Sequence, residues 1–206
     1  MIVSTVQHTV AKIAGCSLVP PRVAAQVQEL TSAHISEFGS LLDDPTSADV
    51  TFVVNSERIT AHKNILATRC TYFRVMFSSG MREAQSGKDI VIQDTSPAAF
   101  RALLLYLYTY ELAFDDTFVV NVLRKAKELE LTRFYNHCER RCQRELSTQN
   151  VVLWFVQADE YALEGLQGNA LRYLTRNFRT IRAEAQHTLT KLVEKPMLMV
   201  EVIMGV

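Results

Sequence analysis

The apolar residues of this chain change period once, and that change limits what the chain can fold into. Short β-branched and aromatic stretches occur only between about residues 50 and 92. From Ser96-Pro97 onward apolar residues recur every three or four positions. Strands gathered in one segment, with helices after them, describe an α+β unit followed by an α-helical tail.

Within the first segment, Val50 to Val54 predicts a strand. Asn55-Ser56-Glu57 predicts a turn, and Arg58 to Ala61 the returning strand of a hairpin. Two short helices follow, near 62–69 and 71–78, the second with Tyr72, Phe73, Met76 and Phe77 as its apolar face. Asp89 to Ile92 predicts a brief third strand. Upstream, Pro20-Pro21 precedes a helix from Arg22 to Leu42, which Asp43-Asp44-Pro45 stops. Its residues Ile35, Phe38, Leu41 and Leu42 share one face.

Ser96-Pro97 offers a hydroxyl cap and a proline in the first helical turn. The helix it opens places Phe100, Leu103, Leu104, Leu107 and Tyr108 on one stripe. Later helices carry Val119, Val122, Leu123 and Ala126; then Leu131, Phe134, Cys138, Cys142 and Leu146; then, after Ser147-Thr148, Val151, Val152, Phe155 and Val156. A further one carries Leu163, Leu166, Ala170, Leu174 and Phe178, and weaker helices fall near 184–193 and 197–203. No internal repeat is legible by inspection.

Charge narrows the partner classes. Lys plus Arg and Asp plus Glu both number 22 in 206 residues, so formal net charge is zero. That balance argues against a whole-chain electrostatic grip on nucleic acid or an anionic membrane. No run of ~20 apolar residues is present to span a bilayer. The first basic residue is Lys12, and Gln7 and His8 interrupt the apolar start, which argues against a signal peptide. Cys16, Cys70, Cys138 and Cys142 do not form a disulfide framework in a chain of this length. The expectation is a reduced protein of the cytoplasm, the nucleus or both.

Motifs for bond chemistry are missing. There is no Gly-x-Ser-x-Gly elbow, Walker loop or Gly-x-Gly-x-x-Gly run, and only 7 glycines from which to build a phosphate cradle. No enzyme, cofactor or metal is expected. Cys138 and Cys142 share a helix face, but Phe134 and Leu146 continue it, so they belong to a core stripe; no separated second ligand pair is visible. Arg172, Arg176 and Arg179, with Arg182 near them, form the solvated face of an amphipathic helix. Asp115-Asp116 precedes a helix and serves as its N-terminal cap.

The stretch from Asp49 through Ala61-His62-Lys63, then Leu66-Ala67, then Tyr72-Phe73-Arg74-Val75-Met76-Phe77, resembles a BTB/POZ domain. Phe100 to Thr109 is similar to that family's signature before its last helices. The resemblance covers about residues 35–146. Residues 147–181, with Asn150-Val-Val, Ala158-Asp159, Leu163 and Leu166, resemble the start of a BACK region. The implied division is an N-terminal extension (1–34), a BTB/POZ domain (35–146) with a small mixed sheet flanked by helices, and a partial BACK-like helical region (147–206).

The resemblance also implies a function. In BTB adaptors of the cullin-3 ubiquitin ligase, a hydrophobic-x-Glu triplet follows the second short helix; here it is Met81-Arg82-Glu83. Met81 would insert into a cullin pocket, Glu83 would fix the loop, and Tyr108 lies near that face. Tyr110 stands where the family has glycine, so the turn must differ or Tyr110 must take an unusual backbone angle. Asp49, His62 and Lys63 match a polar pocket near the family's dimer interface. Ile35, Phe38, Leu41 and Leu42 match the helix that packs on its two-fold mate. The expectation is a non-catalytic adaptor that homodimerises, binds cullin-3 and presents a protein substrate of unknown identity. The alternative is a BTB scaffold or transcriptional co-regulator that dimerises without cullin.

Overall fold

The computed structural model describes residues 21–78 and 89–205. The chain divides into two compact units that meet along the sequence at Ala113 and Phe114. Each unit is treated by itself below.

In the first unit, helix α1 (Pro21–Ser40) precedes strands β1 (Val50–Val54) and β2 (Glu57–Ala61), helices α2 (Lys63–Arg69) and α3 (Thr71–Ser78), strand β3 (Ile90–Ile92) and helix α4 (Pro97–Thr109). β1 is the central strand. It pairs antiparallel with β2 and parallel with β3, which makes a small mixed sheet. The hairpin turn uses Asn55 and Ser56 at φ 48° and 69°. Two left-handed central residues give the twist a two-residue hairpin needs, and asparagine tolerates that region best among residues with a side chain.

Alternation along β1 sends Val50, Phe52 and Val54 inward, beside Ile59 and Ala61 of β2 and Ile90 of β3. The Phe52 ring lies 5.6 Å from Phe73 of α3 and 5.2 Å from Phe100 of α4. One aromatic side chain thus joins the sheet to both helices, by tilted and edge contacts that ring quadrupoles favour. α4 forms as its sequence predicts. Ser96 Oγ accepts from the Ala99 N–H at 3.2 Å, Pro97 opens the helix, and Phe100, Leu103, Leu104, Leu107 and Tyr108 are all buried.

α1 ends at Ser40, ahead of the acidic pair. Asp43, at φ 67°, takes over: its N–H donates to the Thr60 carbonyl, its carboxylate accepts from the Thr60 N–H, and it pairs with Arg101. Arg101 also holds Glu57 at 2.6 Å, so one guanidinium ties α4 to the start of β2 and to Asp43, which itself bonds Thr60 near the end of that strand.

α4 ends at Tyr110, whose φ of 63° is left-handed. The N–H of Tyr110 donates to the Tyr106 carbonyl at 2.8 Å. Its ring meets Tyr106 edge-on at 5.4 Å and lies 4.4 Å beneath the Arg69 guanidinium. The missing family glycine is therefore answered by strain offset by ring contacts, with the turn itself retained.

The second unit is helical. A 3-10 turn (Asp116–Phe118) leads into α5 (Val119–Glu128), followed by α6 (Thr132–Glu145), α7 (Val151–Glu160), α8 (Glu164–Glu184), α9 (Gln186–Val193) and α10 (Pro196–Gly205). Asp115 Oδ1 accepts from the Thr117 N–H at 2.8 Å, which is the expected acidic cap. That bond holds its carboxyl below the usual range. Phe134, Cys138 and Cys142 lie fully in the core, and burial pushes the Cys138 thiol up to about 12. Ser147 and Asn150 bond reciprocally ahead of α7: the Ser147 N–H donates to Asn150 Oδ1, and Asn150 N–H to Ser147 Oγ.

The structure brings out a recurrence that inspection of the sequence misses. The α5–α6 and α7–α8 corners share one geometry. Glu130 and Ala162 take φ 54° and 51°. Leu131 N–H donates to the Ala126 carbonyl at 2.9 Å, and Leu163 N–H to the Ala158 carbonyl at 2.7 Å. Glu130 N–H reaches Lys127 O, and Ala162 N–H reaches Asp159 O, both at 3.1 Å. This is the six-to-one and five-to-two pattern that closes a helix through a left-handed residue. Neither corner uses glycine, which hides the repeat.

One prediction follows from Tyr110. Tyr110→Gly relieves the left-handed strain but loses the ring, whereas Tyr110→Ala loses the ring and keeps the strain. The glycine variant is expected to be more stable than the alanine variant by about 1 kcal/mol in urea unfolding; equal or reversed stabilities would contradict a strained turn.

Candidate protein-interaction site

The start of α2 supplies the polar cluster. A helix begins with backbone N–H groups that have no partner inside it. His62, the residue before α2, is nearly buried, and its N–H donates to the Tyr108 hydroxyl at 2.9 Å. The next N–H, of Lys63, donates to Asp49 Oδ1 at 2.7 Å. The stripe periodicity of α4 brings Tyr108 to this point from below, and the end of the hairpin brings Asp49.

The His62 ring extends the chain of bonds. Nδ1 lies 2.9 Å from the Tyr108 hydroxyl, and Nε2 lies 2.8 Å from Ser47 Oγ. With the ring proton on Nε2, the Tyr108 hydroxyl donates to Nδ1 and Nε2 donates to Ser47 Oγ. This arrangement gives every group a partner, as burial requires. Burial, with a smaller push from the Asp49 charge, raises the Tyr108 hydroxyl to about 12, against the His62 N–H bond that lowers it.

The sequence-selected residues fall into three groups. Asp49, His62 and Lys63 come together, at the head of α2, with Tyr108. Tyr108 itself is only 2% exposed and bonds inward. Ile35 is buried within its own unit, where α1 packs on α4. There Gly39 permits close approach: a Cβ would lie 3.3 Å from Thr109 Cγ2. Phe38, Leu41 and Leu42 keep part of their surface, and His34 packs on the Phe38 ring at 4.8 Å. Met81 and Glu83 lie outside the described residues.

Three exposed apolar residues were not singled out from sequence as surface groups. On α3, Phe73 is buried, and Met76 and Phe77 are half-buried, while Tyr72 and Val75 face solvent. Val91 of β3 is also exposed. α3 and β3 are the elements on either side of residues 79–88 in the chain, so an apolar surface flanks that segment in sequence. The pattern of α3 marked an apolar face but gave no sign of how much of it the core would use. Arg172, Arg176, Arg179 and Arg182 are exposed, as their place on an amphipathic helix predicts.

The BTB/POZ domain family model matches residues 38–146, more than half of the chain. The chain belongs to the BTB/POZ family. BTB/POZ domain-containing protein 9 of Rattus norvegicus is 34% identical over 169 residues, 80% of this chain and 28% of that protein. BTB/POZ and MATH domain-containing protein 6 of Arabidopsis thaliana is 31% identical over 176 residues, 74% of this chain and 42% of that one. Among solved structures, the BTB domain of zebrafish PATZ1 matches with 23% identity and a TM-score of 0.45, covering 62% of this chain and 99% of that domain. The chain spans between about a quarter and under half the length of these two curated relatives. The BTB/POZ match runs past the packing division at Ala113 and takes in α5 and α6. BTB/POZ domains mediate protein–protein interaction, and among the described residues no helix is long and apolar enough to cross a membrane.

The polar cluster makes an alkaline prediction. A hydroxyl whose pKa is higher folded than unfolded stabilises the fold while protonated. That stability is complete below the unfolded value near 10 and lost as pH rises towards about 12. Tyr135, raised to about 12 chiefly by burial, and Cys138 act in the same direction. Unfolding free energy is expected to fall between pH 10 and 12, and Tyr108→Phe to flatten part of that fall. At neutral pH the same variant strands the buried His62 N–H, at a cost of about 1–3 kcal/mol.

Proposed function

We propose that this BTB/POZ protein is a substrate adaptor of a cullin-3 ubiquitin ligase. The observation that carries the reading is the place of Met81-Arg82-Glu83. The triplet falls between α3 and β3, where cullin-binding members of the family carry hydrophobic-x-Glu. The exposed Tyr72 and Val75 on α3 support it, since they offer apolar surface on the element leading into the triplet.

Met81 serves as the anchor. Burying a side chain of that size contributes about 1.5–3 kcal/mol, or one to two decades in affinity. Glu83 holds the loop in its binding form. Tyr108 supports this face from within, through the bonds that fix the head of α2. The BACK-like helices after residue 147 extend the cullin surface. Phe38 of α1, with Leu41 and Leu42 in the turn after it, pairs the protein with a second copy, Ile35 anchoring the helix to its own unit, and Asp49, His62 and Lys63 line the polar pocket beside that interface. Two copies would double the ligase arms and raise avidity for a bivalent target. The mechanism is templating: the chain brings substrate and ligase together and makes no bond itself.

Calorimetry against the cullin-3 N-terminal region tests this. Wild type is expected to bind, Met81→Asp to lose at least tenfold in affinity, and Glu83→Ala to weaken binding less, with unchanged circular dichroism. Absence of binding by the folded wild type would move the reading to a scaffold that works without cullin.

A further inference from the structure

Within the second unit α6 packs on α8. Where the last turn of α6 meets α8, the surface opens into a recess of about 270 Å3. Gln143 of α6 lines it, with Asn169, Arg172, Tyr173, Arg176 and Asn177 of α8. Arg172 and Arg176 stand one turn apart, and Asn169 lies one turn before Arg172, so all three reach the same spot. Sites for whole small molecules run to ~300–1,000 Å3. This recess has room for one charged group, and too little for a nucleotide or a cofactor.

The lining brings together two guanidinium groups, three carboxamides and a phenol, and no carboxylate. Among the described residues neither arginine stands in an ion pair. Arg172 donates to Asn169 Oδ1, a neutral partner that orients the guanidinium and leaves its charge unmatched. With its oxygen used in this way, Asn169 keeps Nδ2 as a donor. Asn177 is fixed as well, its Nδ2 donating to the Tyr173 carbonyl at 2.9 Å. Like charges four residues apart work against a helix. The spacing is therefore a cost to α8 that an anion seated between the two arginines removes. Exposure alone fits a solvated helix face, and Arg179 and Arg182 are exposed without lining the recess. A cavity, amide donors and an unmatched pair of arginines at one place go beyond what such a face needs.

We propose that this recess binds a phosphorylated serine or threonine side chain of a partner protein. The chemistry selects the group. A phosphate monoester carries a charge of about −1.5 to −2 at pH 7 and three acceptor oxygens. It balances both guanidinium groups, where a carboxylate would leave one unbalanced. Arginine forks take phosphate oxygens in pairs, and the amide donors of Asn169 and Gln143 suit the oxygen that remains. A long polyanion fits less well. The chain as a whole has no net charge, and these arginines sit at one recess instead of along a track. A peptide is the fitting source, because BTB/POZ domains mediate protein–protein interaction. The site lies in the second unit and does not depend on the cullin-3 reading.

Binding of the full chain to an immobilised peptide pool tests it. The pool has a fixed central phosphoserine or phosphothreonine and degenerate flanks. The matching unphosphorylated pool, phosphatidylserine vesicles and poly(U) RNA form the other arms. Wild type is expected to bind the phosphorylated pool about tenfold better than the unphosphorylated one. Arg172→Gln with Arg176→Gln should lower that binding about tenfold, with circular dichroism unchanged, since both side chains are exposed. Arg172→Lys with Arg176→Lys keeps the charge but loses the fork, and should still weaken binding about fivefold. Arg179→Gln, outside the recess, should bind as wild type does. Equal binding of the two peptide pools overturns the proposal. So does a loss in Arg179→Gln as large as in the paired glutamines, which would mark a general basic face. A double lysine variant that binds like wild type, or stronger binding to the vesicles or the RNA, overturns it as well.

Discussion

The hydroxyl of Tyr108 ties the first unit together. A helix that starts in the interior leaves an N–H with no partner of its own, and a buried polar group without a partner costs more than most single contacts return. In this chain the α4 stripe delivers a phenol to that N–H. The phenol then orders the His62 ring, and the ring orders Ser47. The hairpin end, α2 and α4 are thereby held in one relation. The ring of Phe52 supplies the apolar counterpart, touching α3 and α4 from the central strand. This arrangement is a support on which loops and helix faces can be presented.

Much of this was legible in the residues. β-branched and aromatic clusters marked the strands, Ser96-Pro97 marked the start of α4, and the Phe134-Cys138-Cys142 stripe marked a core face. Each of these signals is local: it depends on residues a few positions apart. What escaped depends on distant partners. Whether Tyr72 and Val75 would be covered turns on which helix face the sheet takes, and α3 is too short for its period to decide. The paired corners at Glu130 and Ala162 escaped for a different reason. Left-handed helix ends are recognised by glycine, and here the backbone bonds hold the turn without it. Tyr110 is the instructive intermediate: the sequence posed two outcomes at the missing glycine, and the ring contacts with Tyr106 and Arg69 show how a large residue holds the strained one.

The candidate site was only partly open to the same reasoning. Asp49, His62, Lys63 and Tyr108 do converge, but as a satisfied network whose members face each other. The face read from sequence as one helix divides: Ile35 is used inside its unit, Phe38 of α1 retains surface, and Leu41 and Leu42 fall in the turn after the helix end at Ser40, where they too retain surface. In the second unit, Met197, Val200, Ile203 and Met204 of α10 are exposed apolar residues. An interaction protein built this way gains affinity from a few buried anchors on each surface, with the surrounding contacts supplying fit.

The most direct test of the adaptor account is a hydrogen-exchange footprint of the cullin-3 N-terminal region on this chain. The account predicts slowed exchange in peptides covering residues 79–88 and in those of α3. Unaltered exchange across residues 71–92 at saturating cullin would contradict it.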